Sequence, residues 1–585
     1  MNYKGLFFVT ISIILSINVN AQRLGNQNKI NQTLLYIDRF YVEKADVDRI
    51  MDKGIESMLH ELDPHSVYIP AKDVKKSTEA LYGNFEGIGI AFQIMKDTIN
   101  ILESIKGGPS EAVGLLPGDK ILRVDDEKAV GDSITNTWVY KRLRGPKGTH
   151  VKVEVLRNKT KDILSFDIIR DKIPIKSIDS YFMIDKNVGY ISLVRFSVTS
   201  AEEVRLAIKE LKEQGMESLI FDLRGNVGGF LNIAVEICDE FLSKNKLVVY
   251  TEGINQKREV MESTGKGDFE KGRLVVLIDE HSASASEIVS GAIQDHDRGI
   301  IIGRRSFGKG LVQRMFPLND GGQLRLTTSR YYTPSGRCIQ KPYNDGLEAY
   351  YNDLMNRYNH KELVDSDSIR VPDSLKFFTA NKRVVYGGGG IVPDIFVPID
   401  TTRISDYYIE IRSKGLINNF TLEYVNKNRE ELLKIYPTFE EYDNNYDKLK
   451  VNDEFQAYVE KSGIKKNIIK PDWIVGWVNA TLKNEIKDTM SAVSGENYAE
   501  ITKNLLENPK VFEKIMEKAV SEDKRNNHII KKSNIFIKYQ IKALIARNLY
   551  GTRYYYEVMK DTDEGYKTAI EVIKNGKIFR KMNIK

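Results

Sequence analysis

Residues 274–294 read LVVLIDEHSASASEIVSGAIQ and combine two kinds of hydrophobic pattern. The short, β-branched apolar run at 274–278 predicts a buried strand, and after a polar corner residues 287–294 have the spacing of a helix. Ser284 and Glu287 match the capping-box pattern, in which a serine at the helix N-cap faces a glutamate three residues later. We therefore expect the Ser284 hydroxyl beside free backbone N–H groups at the positive end of a helix, where negative charge is stabilised.

A second strand, glycine turn and helix lie upstream. Residues 218–223 predict a strand, 224–229 read RGNVGG, and 230–242 predict a helix, after an earlier strand at 188–193 and helix at 201–214. This order is typical of α/β folds that present backbone amides to an anion. A dinucleotide or phosphate loop is the rival interpretation, but the turn lacks both the GxGxxG pattern and the P-loop lysine.

A serine hydroxyl needs a base, and the chain offers Lys309 between Gly308 and Gly310. If the following run is extended, Lys309 and Gln313 point to one face, and Gln313 could hold the lysine amine by a hydrogen bond. A lysine acts as a base only when it is neutral. Its pKa must therefore be lowered by burial or by neighbouring positive charge.

The segments SASASE (282–287) and FGKGLVQ (307–313) resemble those of the C-terminal processing peptidases, also called tail-specific proteases. The resemblance implies that Ser284 is the nucleophile, that Lys309 is the general base and that Gln313 orients it. It also implies an oxyanion hole from the amides of Gly228, in the DLRGNVGG turn, and Ala285. Val227 stands where the family often has proline. No metal or organic cofactor is implied.

Other interpretations of the same residues stay open. Ser284 could be only a helix cap and Lys309 a solvated loop residue, with Ser282 and Ser286 in the corner and the first helical turn. A Ser-His-Asp hydrolase would need His281 or His296 as the base, with Asp295 as its partner. A catalytically silent PDZ scaffold that captures protein tails is a third alternative. Such a scaffold has no reason to keep the serine, the lysine and the glutamine together.

Residues 82–170 resemble a PDZ domain. The segment FEGIGI (85–90) stands where that fold has its carboxylate-binding loop and its peptide-pairing strand. Glycines let successive N–H groups turn toward a terminal carboxylate, and the strand edge then accepts the tail as an added strand. The binding residues would be Gly87, Ile88, Gly89 and Ile90. The implied partners are protein substrates with exposed C-terminal tails, with access to the site controlled by the position of the PDZ domain.

The first residues have the features of an export signal. Lys4 precedes an apolar stretch at 5–17, and small residues end at Ala21, so residues 1–21 are expected to be a signal peptide removed after Ala21. The apolar stretch is too short for a membrane span, and no later segment is long and apolar enough. We expect an exported protein, periplasmic or otherwise extracytoplasmic.

The composition is that of a globular enzyme with several domains, since 585 residues include 41% hydrophobic and 29% charged ones. A formal net charge of +6 is small against 87 basic and 81 acidic residues, so it gives no support to nucleic-acid binding. The two cysteines are too few for a disulfide framework and lack metal-site spacing. Cys238 is expected in the core, and a disulfide to Cys338 stays open.

The predicted fold class is multidomain α/β and α+β. A helical N-terminal region (22–80) ends in LDPHS (62–66), a β-barrel-like PDZ domain follows (81–172), and the peptidase core with its mixed sheet occupies 173–400. A charged, tyrosine-rich insertion at about 341–384 is either a surface subdomain or a lid. Residues 401–585 predict a helical domain of unknown role. In the resembled family the helical leader often contributes to dimer packing. The resemblance therefore leaves room for a homo-oligomer and for an activating adaptor.

Overall fold

The computed structural model describes residues 28–95, 97–157, 162–464 and 509–584. The expected signal peptide at 1–21 lies outside these ranges. Two helices begin the described chain, and the turn that contains Asp63 and His65 leads from them to a strand and a third helix. The elements of this region are α1 (28–40), α2 (Val47–His60), β1 (Val67–Ile69) and α3 (Ala71–Tyr82). The Asp46 carboxylate caps α2 by accepting the Arg49 N–H at 3.1 Å.

The PDZ domain is built on an antiparallel sheet with strand order β3-β4-β5-β7-β8, in which β6 pairs with β5. The first and last strands of the domain, β2 and β9, pair with each other in a separate two-stranded ribbon. Alternation along β7 buries Val151, Val153 and Val155, which form the core with the inner faces of β4 and β5. The elements are β2 (Asn84–Gly87), β3 (Ile90–Met95), β4 (Thr98–Ser104), α4 (Pro109–Ala112), β5 (Lys120–Val124), β6 (Glu127–Lys128), α5 (Asn136–Leu143), β7 (His150–Leu156), β8 (Ile163–Ile169) and β9 (Asp171–Pro174).

The catalytic core has a mixed six-stranded sheet with order β10-β11-β12-β15-β16-β21. Only the β10–β11 pair is antiparallel within it. Its central strands are continuous apolar runs because both faces of the sheet are covered. The elements are β10 (Ile178–Met183), β11 (Val188–Leu193), α6 (Ser200–Glu213), β12 (Ser218–Asp222), α7 (Leu231–Asp239), β15 (Arg273–Ile278), α8 (Ala285–Asp295), β16 (Ile300–Gly303) and β21 (Ile395–Phe396).

A second, antiparallel sheet lies beside this core and has the order β1-β18-β13-β14, with β17 also paired to β18. The N-terminal strand β1 is thus part of the catalytic region. The insertion contributes two short helices and a hairpin. The elements are β13 (Leu247–Gly253), β14 (Gln256–Glu262), β17 (Leu311–Pro317), β18 (Gln323–Tyr332), α9 (Leu347–Tyr351), α10 (Asp353–Asn359), β19 (Lys376–Phe378) and β20 (Val384–Tyr386).

The C-terminal region is helical, and its parts pack in two places. The first helices and the end of the long α15 form a cluster of their own, whereas α17 and α18 cover one face of the catalytic sheet. There, Tyr566, Ile573 and Phe579 pack on Tyr190, Ile220 and other sheet residues. The elements are α11 (Asp406–Ser413), α12 (Leu416–Ile435), α13 (Phe439–Asn445), α14 (Val451–Lys461), α15 (Pro509–Tyr550), α16 (Thr552–Met559), α17 (Glu564–Asn575) and α18 (Lys577–Lys581).

The predicted fold class is confirmed, from the helical leader through the PDZ domain and the mixed sheet to the helical C-terminal region. Cys238 is buried in the core as expected, and both cysteines are free, so the disulfide that the sequence left open is not formed. Among the residues that the structure describes, no helix has the length and hydrophobicity to cross a membrane.

Candidate active site

Ser284 lies at the corner where β15 passes into α8. It is the N-cap of that helix and has φ of 55°, a conformation that is uncommon for a residue with a side chain. Its N–H donates to Glu287 Oε2 at 2.8 Å, which is the glutamate half of the predicted capping box. Its carbonyl accepts the Glu287 N–H at 2.8 Å and the Tyr331 hydroxyl at 3.2 Å. The corner is therefore fixed by hydrogen bonds of the Ser284 backbone.

The glycine turn after β12 contacts this corner directly. Gly228 has φ of 97°, and a Cβ there would come within 2.7 Å of the Ala283 carbonyl and 2.9 Å of Ser284 Cβ, so only glycine fits. The structure thus brings together Gly228, Ser284 and Ala285. As the first residue of α8, Ala285 has an N–H with no acceptor inside the helix. The Gly228 N–H, however, donates to Asn226 Oδ1 at 2.9 Å.

The position of the glycine turn depends on the last helices of the chain. Arg224, inside the turn, donates to both carboxylate oxygens of Asp222, with its Nη2 2.6 Å from Oδ2. The same guanidinium contacts Asp563 at 2.9 and 2.7 Å. Asp563 is the N-cap of α17 and accepts the Tyr566 N–H. Burial opposes ionisation of Asp563, but Arg224 and these donors lower its pKa overall.

Glu287 connects the serine corner to the lysine loop. Its carboxylate is fully buried and accepts four hydrogen bonds, from Ser284 N, Ser306 Oγ (2.5 Å), Gly308 N (2.7 Å) and Lys309 N (2.9 Å). Burial raises the pKa of this carboxyl, although the donors oppose the rise. The sequence predicted only the helix-capping role. The contact of Glu287 with the Lys309 loop could not be predicted, because Ser306, Gly308 and Lys309 are 19 to 22 residues away in sequence.

Lys309 lies in the loop before β17 and not in an extended strand as the sequence suggested. The strand begins at Leu311, and its pairing with β18 is interrupted by a bulge between Val312 and Gln313. Burial lowers the pKa of the Lys309 amine, and the nearby Arg325 guanidinium lowers it further, whereas Glu287 and Asp63 act in the opposite direction. The shift is in the direction that a general base requires.

Gln313 lies beside a chain of hydrogen bonds that the sequence did not predict. Its Nε2 donates to Thr327 Oγ1 at 3.2 Å, and that hydroxyl donates to Asp63 Oδ1 at 3.0 Å. In the described residues Gln313 forms no hydrogen bond to Lys309, so the expected direct contact is not present. Asp63 also accepts from the N–H groups of His65 and Ser66 at 2.8 and 2.9 Å. The N-terminal LDPHS turn therefore borders the loop that contains Lys309.

His65 and the insertion cover the other side of that loop. The His65 Nε2 lies 2.7 Å from the Tyr350 hydroxyl, and Gln340 Oε1 accepts the Gly310 N–H at 2.8 Å. Burial, with the positive charge of Lys309 nearby, lowers the pKa of His65 to about 4. The sequence did not identify His65 or Tyr350 as a site residue. Their contacts join residues that are more than 240 positions apart, and such contacts leave no local pattern in the sequence.

The two histidines near Ser284 in sequence do not form a Ser-His-Asp arrangement. His281 is exposed, and its backbone N–H donates to Asp279 at 3.1 Å. The His296 ring lies 2.6 Å from the Leu247 carbonyl at the far end of α8. Asp295 is paired with Arg337 at 2.7 Å, with both side chains fully buried. Asp295 thus has a structural partner of its own.

The predicted PDZ loop, residues 87–90, leads into a strand at one edge of the PDZ sheet. Its carbonyls are occupied, because Ser110 donates to the Ile88 carbonyl through N (3.0 Å) and Oγ (2.7 Å), and Ile105 N donates to that of Gly89 (2.9 Å). Gly87 forms a bridge to Arg144, and Gly89 has φ of 76°. Strand β3, which begins at Ile90, is an edge strand and can pair with an extended tail.

Comparison with known proteins gives three family matches. Residues 187–349 match the peptidase family S41, residues 87–168 match a PDZ domain, and residues 407–492 match a family of unknown function (DUF8443). A carboxy-terminal-processing protease of Bartonella bacilliformis is 35% identical over 58% of this chain and 80% of its own length. Carboxy-terminal processing protease CtpB of Bacillus subtilis is 33% identical over 57% of this chain and 69% of its own. CtpA of the same organism is 33% identical over 57% and 75%.

Proposed function

Because the chain belongs to the carboxy-terminal processing proteases of peptidase family S41, we propose that it cuts protein tails with Ser284 as nucleophile and Lys309 as base. The observation that carries this proposal is the Glu287 carboxylate, which accepts N–H groups from both Ser284 (2.8 Å) and Lys309 (2.9 Å). One buried group thereby sets the relative position of the two segments. A glutamate that only capped α8 would not need to accept a hydrogen bond from the loop that contains Lys309.

The proposed reaction begins with a neutral Lys309 amine. It takes the Ser284 hydroxyl proton while the serine oxygen attacks the carbonyl carbon of the scissile bond. The resulting ammonium returns the proton to the leaving amine, and an acyl-enzyme remains on Ser284. Water then attacks the ester, with Lys309 again accepting a proton. Burial and Arg325 support this role, because both lower the pKa of Lys309.

The oxyanion would be held by the amides of Ala285 and Gly228. The Ala285 N–H is available at the start of α8, whereas the Gly228 N–H has to leave Asn226 Oδ1 before it can donate to substrate. The turn therefore has a resting arrangement, and substrate binding would exchange one acceptor for another. Removal of one donor of this kind typically reduces turnover about a hundred- to a thousandfold.

Substrate would be recognised by its free C-terminus. The loop from Gly87 to Ile90 would bind the terminal carboxylate, and β3 would pair with the extended tail. Gln313 would act through Thr327 and Asp63 by fixing the surroundings of Lys309. The basic and apolar residues at 4–17 support export, so the substrates would be extracytoplasmic proteins.

The test uses a folded reporter with an unstructured apolar tail, supplied as the free acid and as the C-terminal carboxamide. We expect the acid to be cleaved faster and an acyl-enzyme to be trapped on the peptide that contains Ser284 at low pH. Ser284→Ala should abolish both signals, whereas Ser282→Ala, which alters the neighbouring corner serine, should retain the acyl-enzyme. Cleavage that survives Ser284→Ala, or equal rates for acid and amide, would contradict the proposal.

A further inference from the structure

One face of β18 carries a row of polar side chains past the catalytic loop. Gln323, Arg325 and Thr327 alternate along the strand and share a face, because the pairing with β17 is regular over these residues. Thr327 contacts Gln313 and Asp63, so this is the face that borders Lys309. Arg325 lies two residues farther along the strand, about 7 Å from Thr327 at the spacing of a β-strand.

The Arg325 side chain has no partner in the described part of the chain. Its Nε and Nη2 atoms are buried without a hydrogen bond, and so is the Oε1 atom of Gln323 on the same face. Arg325 as a whole is half-buried, but buried polar atoms are normally paired, and leaving its Nε and Nη2 without acceptors is costly. Two donors and one acceptor thus lie without partners along this face of β18.

Four other arginines of the catalytic region, which are largely or fully buried, differ from Arg325 in this respect. Each of the four forms an ion pair with a carboxylate at 2.6 to 3.0 Å, namely Arg304 with Glu280, Arg305 with Glu362, Arg337 with Asp295 and Arg357 with Asp353. A fifth buried arginine, Arg298, donates instead to the carbonyls of Phe241, Gly272 and Phe269, so the fold supplies each of these five side chains with acceptors. The Nε and Nη2 atoms of Arg325 have no acceptor among the described residues, and a carboxylate of another molecule would fit them.

We propose that Arg325, with Gln323 beside it, forms a subsite that binds a carboxylate of the polypeptide substrate close to the scissile bond. A guanidinium binds a carboxylate through two parallel hydrogen bonds, which suits the two unused donors. The Gln323 oxygen would accept an N–H of the same substrate segment. The carboxylate belongs to an Asp or Glu side chain or to the free end of a short tail. This inference rests on the proposed proteolytic function.

The subsite has an electrostatic consequence for the base. Arg325 is one of the causes that lower the pKa of Lys309. A bound carboxylate neutralises the guanidinium and removes part of that effect. The acidic limb of the kcat profile should therefore lie at higher pH for a substrate with a carboxylate in the subsite than for its amide counterpart. If Arg325 only stabilised the fold, the charge of the substrate would not change the pH at which this limb lies.

The experiment compares reporter tails in which a single Glu or Gln is moved through the residues on each side of the cut. At one position we expect the wild-type protein to prefer Glu by about tenfold in kcat/KM, the usual scale for one charge-assisted hydrogen-bonded pair. Tails that end at that position, as the acid or the carboxamide, distinguish the free end from a side chain. Each substrate is assayed across the pH range.

Three variants separate the contributions of charge and geometry. Arg325→Met should remove the preference for Glu and move the acidic limb to higher pH for the Gln substrate. Arg325→Lys should keep the limb near its wild-type position but weaken the preference, because lysine lacks the planar fork. Arg314→Met is the matched control, since Arg314 is exposed on β17 and only 3.6 Å from Glu259 in a loose ion pair.

The outcomes distinguish the subsite from the reaction itself. Equal kcat/KM for Glu and Gln at every position, or equal losses for both substrates in Arg325→Met, would overturn the subsite while leaving the protease intact. No cleavage of any tail by the wild-type protein would instead contradict the proposed function on which the subsite rests.

Discussion

Ser284 stands at a corner formed by its own strand and helix, whereas Lys309 lies in a loop whose surroundings come from several distant segments. The serine corner is set by local hydrogen bonds to Glu287 and by contact with Gly228. The lysine environment requires Asp63 from the N-terminal turn, Arg325 from β18 and Glu287 from α8. The difference shows that the position of the proposed nucleophile can be set by one supersecondary unit, while the pKa of the proposed base depends on burial and on charges from three distant segments.

The largest effect should follow from the residue that joins the two regions. We expect Glu287→Gln to reduce kcat by about a hundredfold or more, because small misplacement of reacting groups has costs of this order. The amide also replaces one carboxylate oxygen, which accepts two of the four hydrogen bonds, with a donor, so the free energy of unfolding should fall by at least about 2 kcal/mol. Activity and chemical denaturation of the same samples would measure both.

A matched control for this variant is Glu240→Gln. Glu240 is also buried and accepts from Arg205 at 3.0 Å and from the Asp268 N–H at 3.1 Å, but it contacts neither the serine corner nor the lysine loop. It should lower stability and leave kcat of the folded fraction unchanged. Near-wild-type kcat in Glu287→Gln would show that the serine and lysine regions are not coupled through this carboxylate.

A smaller loss is expected where the hydrogen-bond chain beside Lys309 is broken. Thr327→Val removes the hydroxyl between Gln313 and Asp63, and we expect about a tenfold lower kcat/KM, the equivalent of one hydrogen bond to a charged group. The neighbouring Thr328→Val is a close control, because the Thr328 hydroxyl is buried without a partner. Equal effects of the two substitutions would assign Thr327 a packing role only.

His65 tests which group sets the pH dependence. With a pKa of about 4 in the folded protein against 6.5 ordinarily, His65 is neutral at neutral pH, so the acidic limb of kcat/KM should belong to Lys309. His65→Asn should lower the rate severalfold, because the contact with Tyr350 is lost, and should leave the position of the limb unchanged. The depressed pKa also means that His65 contributes stability above pH 6.5 that is lost as the pH falls toward 4.

Urea titrations across that range provide the second readout for His65. The wild-type free energy of unfolding should fall more steeply than that of His65→Asn between pH 6.5 and 4. If the limb disappears in the variant, His65 and not Lys309 would be the titrating group. If the two stability curves run parallel, the histidine would be neither buried nor neutral as described.

The smallest effect should be at the contact between the glycine turn and the C-terminal helices. Asp563→Asn leaves Arg224 paired with Asp222, so we expect a loss of about 1–2 kcal/mol in unfolding free energy and a decrease of a few fold in kcat. Glu564→Gln is the control, because Glu564 is half exposed and pairs with Arg403 at 3.3 Å. Equal losses of stability and kcat in both variants would show that the contact between Asp563 and Arg224 does not affect the glycine turn.

The same contrast explains how much the sequence could predict. Strand, corner and helix around Ser284 follow from hydrophobic period and capping, and Gly228 follows from its turn, because these signals are local. The partners of Lys309 could not be predicted, since Asp63 and Arg325 meet it only after β1 pairs with β18. The predicted hydrogen bond between Gln313 and Lys309 is absent for a related reason, because the bulge beside Gln313 changes the alternation that the prediction assumed.

The role of the last helices also depended on tertiary packing. Amphipathic spacing predicted helices in 401–585, but an apolar helix face does not specify what it covers. In the structure, α17 and α18 bury Tyr566, Ile573 and Phe579 on the catalytic sheet, and Asp563 contacts Arg224. The C-terminal end of the described chain thus belongs to the peptidase core, although the match to peptidase family S41 ends at residue 349.

The most direct test of the central claim is cleavage of a free-tail reporter by the wild-type protein, Lys309→Ala and His281→Ala across the pH range. We predict loss of cleavage in Lys309→Ala, wild-type behaviour in His281→Ala, and a wild-type acidic limb below the ordinary lysine pKa, because burial and Arg325 lower that of Lys309. Cleavage that persists in Lys309→Ala with an unchanged limb would contradict the lysine base. Loss of cleavage in His281→Ala would instead indicate that His281 acts as the base.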